Sequence, residues 1–167
     1  MDDTERKAAL PAISYGLHVM SAEDQDGPIR AGTLNWSTHE SFKTPMIELE
    51  VKADSQIHDI TKTARHFALN ILGKDQQGTT YTILKWDQHE DQRIRGEALH
   101  SDSTGTPVMD KTPAFGECRL LTTVEQGEYS NFIGEVEYSG VSQEPEGHAD
   151  EVTLFLKDLS ENKLRPL

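Results

Sequence analysis

Residues 29–58 read IRAGTLNWSTHESFKTPMIELEVKADSQIH, and this stretch decides the reading of the fold. Its first part alternates. Thr33, Asn35, Ser37 and His39 fall on one side of an extended chain, with Gly32, Leu34, Trp36 and Thr38 on the other, the period of two that a strand imposes. A polar bend follows, and Met46-Ile47-Glu48-Leu49-Glu50-Val51 alternates again. Pro45 suits the opening of that strand but not its middle, because it has no N–H for a ladder. Asp54 and Ser55 then offer side-chain oxygens to a helix start, and Ile57, Ile60 and Ala64 recur at helical spacing,. A strand rich in hydroxyls and amides beside a helix N-terminus can hold a phosphorylated ligand, since the free N–H groups and positive dipole end favour an anion.

Outward from this stretch, residues 13–22 read as a strand with Tyr15, Leu17, Val19 and Ser21 on one face and Gly16 and His18 on the other. Glu23-Asp24-Gln25-Asp26-Gly27-Pro28 is turn chemistry, so the first three strands form an antiparallel meander. A helix over about residues 55–65 follows, then a mostly apolar, buried strand at residues 66–72. Residues 73–86 read two ways: Asp75 caps a helix through Tyr81, Ile83, Leu84 and Trp86, or Thr79, Thr80 and Thr82 favour extension. Residues 87–113 are a long polar excursion, partly ordered, of the length that marks function or flexibility. Residues 114–124 and 131–138 form a hairpin about Glu125-Gln126-Gly127-Glu128, with Gly127 supplying the turn. Residues 142–150 are a loop, and residues 152–156 a last short strand. Near the start, residues 4–10 suit a short helix capped by Thr4 and ended by Pro11. Nothing marks a second domain, so residues 1–167 read as one. Many short strands with one or two helices suggest a closed or half-open antiparallel barrel.

Three short patterns follow one another: Gly32-Thr33-x-Asn35-Trp36-x-Thr38, then Ser41-Phe42-x-x-Pro45-Met46, then Ser55-x-x-His58. Together these resemble the flavin reductase-like family of FMN-binding split barrels. The resemblance extends upstream through Tyr15-Gly16-Leu17-His18-Val19-Met20-Ser21-Ala22. Downstream it continues through Phe67-Ala68-Leu69-Asn70-Ile71-Leu72, Glu117-Cys118 and Phe132-Ile133-Gly134-Glu135-Val136. It covers roughly residues 10–157, nearly a whole domain. It implies a mainly β fold, an antiparallel split β-barrel of Greek-key type with one or two short helices. It also implies FMN as cofactor, NADH or NADPH as co-substrate, and a homodimer with each flavin bordered by both subunits.

The composition sets limits. The formal charge is −13, a field that repels nucleic acid and anionic membranes and serves solubility. It also opposes phosphorylated cofactors, so local Lys, Arg or N–H groups must overcome it. No window of 18 apolar residues exists, so no transmembrane helix is expected. The acidic start, Met1-Asp2-Asp3-Thr4-Glu5, is not a secretory signal,. One cysteine, Cys118, forms no intrachain disulfide and fits a reducing cytosol,. A hydrophobic fraction of 35% is thin for a self-sufficient barrel, which fits a dimer sharing its core.

Flavin requires donors and acceptors along its pyrimidine edge and an apolar platform for its rings. By similarity, Thr33, Asn35, Trp36, Ser37 and Thr38 border it; read without the resemblance, they are the polar face of an exposed strand. Lys52, Ser55 and His58 are the phosphate candidates, a cation and a hydroxyl at a helix start; otherwise they are a helix cap beside a surface lysine. Asp54 would repel a phosphate, so it caps the helix or turns outward. His18, His39, His58, His66, His89, His100 and His148 are scattered, with neither ligand spacing nor partner cysteines, so no metal site is expected,. Ser41 and Ser55 lack a nucleophile elbow, and Cys118 on a strand reads as a small core residue. No catalytic side chain is assigned.

The chain departs from the family at one place. Many relatives carry an acid followed by His ahead of the Phe-x-Gly-Glu-Val run; here Glu128 and Tyr129 stand there. Tyr129 can stack on a ring or hydrogen-bond a ligand, but it supplies no cation at neutral pH. This weakens nicotinamide use more than flavin binding. The leading reading is an FMN-binding oxidoreductase that takes hydride from NAD(P)H onto flavin and passes electrons to an acceptor partner. The alternatives are a non-catalytic FMN-binding module for electron storage, sensing or scaffolding, and an all-β interaction domain without cofactor.

Overall fold

In the computed structural model, which describes residues 13–25, 27–84, 93–94 and 96–159, the elements run β1 (His18–Ala22), β2 (Arg30–Leu34), β3 (Ser37–Ser41), β4 (Met46–Lys52), α1 (Gln56–Ala64), β5 (His66–Ile71), α2 (Gln77–Leu84), β6 (Arg93–Ile94), β7 (Glu97–Ser101), β8 (Pro107–Met109), β9 (Ala114–Gln126) and β10 (Tyr129–Val141). Seven strands form one antiparallel sheet in the order β2-β1-β5-β9-β10-β4-β3, and β6-β7-β8 form a small second sheet. The expected helix at residues 4–10 lies outside the described residues. No helix among the described residues is long and apolar enough to cross a membrane.

The two edges of the large sheet, β2 and β3, are consecutive in the chain and separated only by Asn35 and Trp36. One core joins the two edge regions. Met20, Leu49, Val51, Phe67, Leu69, Cys118, Leu120 and Phe132 bury together with Ile57 of α1, and Leu34 and Ile47, from the two edge regions, pack against them. A fully buried side chain of this kind contributes roughly 1.5–3 kcal/mol, so the apolar stripe of each strand draws both edges onto one centre. On the opposite face, Leu17, Val19, Leu72, Ile83, Ile94, Met109 and Leu154 make a second core beneath α2 and the small sheet.

The break at Asn35 and Trp36 corrects the reading of residues 33–39 as one alternating strand. Thr33 stands opposite Val19, on the second-core face. Ser37 and His39 stand opposite Leu49 and Ile47, on the first-core face. The two-residue link therefore inverts the face, because the chain must leave β1 and join β4 at the other edge.

α1 starts where the cap chemistry puts it. Ser55 is extended (φ −94°, ψ 149°), its hydroxyl oxygen accepts from the His58 N–H at 3.3 Å, and the same hydroxyl donates to the Lys52 carbonyl at 2.6 Å. The helix ends at Arg65 in the left-handed region (φ 64°), whose N–H donates to the Thr61 carbonyl at 2.9 Å. Asp54 turns outward and pairs with Lys52 at 3.1 Å.

Residues 73–84 resolve to helix. The Gly73 N–H donates to Gln76 Oε1 at 2.9 Å, Ile83 is buried in the second core, and the Thr79 hydroxyl donates to Glu97 at 3.0 Å. Packing against β2 outweighs the extended preference of three threonines. The described part of the excursion is ordered as β6, β7 and β8. Side chains clasp it to the sheet: the Ser21 hydroxyl donates to the Pro107 carbonyl at 2.6 Å, and Asn70 Oδ1 accepts from the Met109 N–H at 2.8 Å. The hairpin of β9 and β10 is longer than expected and turns at Gly127, φ 68°. Residues 152–156 do not form the expected strand. The Leu154 N–H donates to Leu72 and its carbonyl accepts from Leu17, each at 2.8 Å. Successive bonds thus go to two different segments and no ladder grows.

Candidate functional site

The face of β3, β4 and β10 turned away from the first core carries the candidate site. Alternation places Tyr129 opposite Lys52 and Thr38 opposite Glu48 on that face, while Ser130 and Phe132 point inward,. Trp36, in the link between β2 and β3, is pinned beside them by its carbonyl, which accepts from the Glu50 N–H at 3.0 Å. Its ring meets Tyr129 edge-on with centroids 5.1 Å apart, and Tyr15 edge-on at 6.3 Å. Offset and edge-on contacts of this kind are the favoured aromatic geometry. Trp36 nonetheless stays 37% exposed, so part of its ring faces out.

Thr33, on the same side of the chain's break as Val19, has a buried hydroxyl with no hydrogen-bond partner among the described residues. An orphaned buried hydroxyl costs about 1–3 kcal/mol, and a ligand polar group is one way to satisfy it. Short polar side chains, a partly open aromatic row and a lysine near a helix start fit the requirements of FMN: edge hydrogen bonds, a ring platform and a phosphate counter-charge.

The predicted residues do not all converge. Trp36, Thr38, Lys52 and Tyr129 share the outer face, and Thr33 stands opposite Val19 on β2. Asn35 lies in the link itself. Ser37 is turned to the first-core face by the inversion. Ser55 sits at the start of α1 with its hydroxyl engaged on both sides as cap. His58 is 6% exposed and faces inward, with Nε2 at 3.1 Å from the Ser130 hydroxyl and Nδ1 at 3.2 Å from Asp59. Sequence reasoning missed Tyr15 as a member of the aromatic row. It stands directly before Gly16-Leu17, ahead of β1, and only the contact with Trp36 gives it meaning.

Two titratable groups near the frame are set by burial. Desolvation pushes the Cys118 thiol up to about 12, helped by Glu137 and Glu117, so it carries no thiolate at neutral pH and packs as a core residue,. Desolvation lowers His18 to about 4.

The chain is similar to known proteins along most of its length. The family model described as flavin reductase like domain matches residues 10–156. The NADH-dependent flavin reductase StyB of Pseudomonas fluorescens is 25% identical over 170 residues, 100% of this chain and 94% of that protein. The FMN reductase (NADH) SmoA of Agrobacterium fabrum is 27% identical over 137 residues, 77% of this chain and 71% of that protein. The styrene monooxygenase flavin reductase (SMOB) of Pseudomonas putida S12 shares the fold, with a TM-score of 0.71 at 23% identity over 84% of this chain and 88% of that one.

Proposed function

The chain belongs to the flavin reductase like domain family, and from that premise we propose that it is an FMN-binding oxidoreductase that uses NADH to reduce flavin. When bound, FMN supplies the ring system whose N5 accepts hydride from the nicotinamide. The observation that carries the site is the Trp36–Tyr129 pair on the outer face, 5.1 Å between centroids.

Each residue has a stated task in this reading. Trp36 and Tyr129, backed by Tyr15, offer an aromatic wall to the flavin rings. Thr33, Asn35 and Thr38 supply polar atoms and strand backbone at the ring edge, while Ser37, turned to the first core, is left out of it. Lys52 and the start of α1 at Ser55 face the phosphate, while His58 supports them from within. No side chain is asked to move a proton. Positioning is the protein's contribution, and for a well-oriented pair that is worth roughly 7–11 kcal/mol of barrier.

The seven-stranded sheet is read as a split barrel, on the support of its two edges being joined by Asn35 and Trp36 around one core. The protein is read as a homodimer, because an aromatic wall on an outer face covers one side of a flavin and leaves the other for a second chain. Electrons then pass to an acceptor, a second protein or substrate. The single buried thiol fits a cytosolic setting,.

The test is anaerobic. Protein loaded with FMN is mixed with NADH, and bleaching of the oxidised flavin band is followed with Trp36→Ala and Tyr129→Ala alongside. Bleaching by the wild type, with at least tenfold weaker FMN in Trp36→Ala, is expected. FMN that binds but never bleaches would favour the non-catalytic module. FMN that binds equally well to both variants would place the flavin elsewhere.

A further inference from the structure

We propose that His58 is a positioning residue that holds Tyr129 against Trp36 by way of Ser130, an inference that rests on the aromatic pair bordering the flavin. The expectation from sequence put His58 on the phosphate. In the structure both ring nitrogens are turned to protein partners, Nε2 to the Ser130 hydroxyl at 3.1 Å and Nδ1 to Asp59 at 3.2 Å, and the ring lies over Phe132 with centroids 5.2 Å apart. Ser130 is 1% exposed and follows Tyr129 directly. In a strand, neighbouring side chains point to opposite faces. Fixing Ser130 from below therefore fixes where Tyr129 stands above.

α1 is placed to transmit this. Its flank at Ile57 presses on β2 so closely that a Cβ on Gly32 would come within 3.1 Å of it. The turn leading into it is tied to the β9–β10 turn by the Ala53 N–H, which donates to the Glu128 carbonyl at 2.9 Å, and α1 itself is tied to β9 by the Lys62–Glu125 ion pair. One helix thus braces both walls, the strand leading into Trp36 and the strand opening with Tyr129. Packing alone does not call for a polar pair here. Thr61 of α1 and Thr123 of β9 already leave buried hydroxyls without partners among the described residues. An apolar pair of the same shape at 58 and 130 would fill the seam at no greater cost. What an apolar pair lacks is direction, and a hydrogen bond near 3 Å supplies it.

The experiment uses Trp86→Phe protein, which leaves Trp36 as its one tryptophan. His58→Phe keeps the ring over Phe132 and loses the hydrogen bond; Ser130→Ala removes the partner; His58→Gln keeps a donor and acceptor. Trp36 emission is recorded without FMN, and the FMN Kd is then measured. His58→Phe and Ser130→Ala are each expected to shift the emission and weaken FMN about 3- to 10-fold. The double variant should lose no more than either single change, and His58→Gln should recover most of both signals. Unchanged emission in both single variants overturns the proposal, as does a double variant whose losses multiply. If Trp36→Ala binds FMN like the wild type, the flavin reading fails instead, and the emission taken without FMN still decides the role of His58. Should one variant fail to fold, the other two decide it by the same emission criterion.

Discussion

Replacing His18 with Leu should make the protein less sensitive to acid, by an amount the structure sets. His18 opens β1, paired with Leu34 on one side and Ile71 on the other, both packed on the first core. Its Nδ1 is buried without a partner among the described residues. Burial disfavours the imidazolium and lowers the group from 6.5 to about 4,. The folded-state value lies below the unfolded one. Between the two, the unfolded chain binds a proton that the folded chain refuses, and stability falls as pH falls. The contribution is therefore complete above pH 6.5 and lost on the way down to pH 4. Each pH unit in that window costs about 1.4 kcal/mol, so the wild type gives up about 2 kcal/mol between pH 7 and pH 5 through this group, and about 3 kcal/mol by pH 4. Leu is of similar size and has no proton to bind. Urea unfolding of wild type and His18→Leu at pH 7 and pH 5 should show the variant's advantage growing by about 2 kcal/mol at the lower pH. An advantage that is the same at both values would refute the account of His18 as a buried neutral imidazole.

A Cβ on Gly134 would lie 2.6 Å from the Phe67 ring and 3.1 Å from Cys118, both fully buried, so Gly134→Ala should cost about 1–3 kcal/mol in urea unfolding, and no loss would mean that the seam can yield,. Ser55→Ala removes the α1 cap and should lower stability by about 0.5–2 kcal/mol; it should also weaken FMN more than riboflavin, and equal weakening would move the phosphate away from α1. Light scattering at micromolar concentration should give about twice 18.7 kDa with FMN bound, whereas a mass near 18.7 kDa would rule out a flavin shared between subunits.

The parts of the fold legible in sequence were those whose partners are local. α1 announced itself through Ser55 and the spacing of Ile57, Ile60 and Ala64, and β4 through its alternation, because capping and one-sided burial both act within a few residues. What the sequence concealed depends on partners far along the chain. Thr33 to His39 keeps perfect polar alternation, and nothing local marks Asn35 and Trp36 as the place where the chain changes edge. Thr79, Thr80 and Thr82 argue for extension until β2 and Glu97 are brought beside them. Residues 152–156 alternate like a strand, but their partners Leu17 and Leu72 belong to different segments. Of the candidate site, the sequence offers residue types, and only the structure gives the face on which each lies. His58 reads as a phosphate ligand by its place after Ser55, and only the inward face of α1 shows that it belongs to the frame.

The inversion at Asn35 and Trp36 has a consequence for how an anion could approach a chain of charge −13. Had the strand continued without a break, Ser37 would have joined Thr33 on one face and Thr38 would have turned inward. With the break, Thr38 and Trp36 come out beside Tyr129 and Lys52, but so do Glu48 and Glu50, which share the outer face of β4. Asn131 donates a hydrogen bond to Glu48 at 2.5 Å. Lys52 is meanwhile held by Asp54, an exposed pair of the kind worth at most about 1 kcal/mol,. A phosphate at the start of α1 would compete with Asp54 for the same lysine, and against so weak a pair it wins at little cost. The dipole end of α1 adds a further 0.3–1 kcal/mol or so in favour of the anion. If the phosphate lies at this corner, Lys52 is the cation that would meet it, and its exposed pair with Asp54 is weak enough to give it up,.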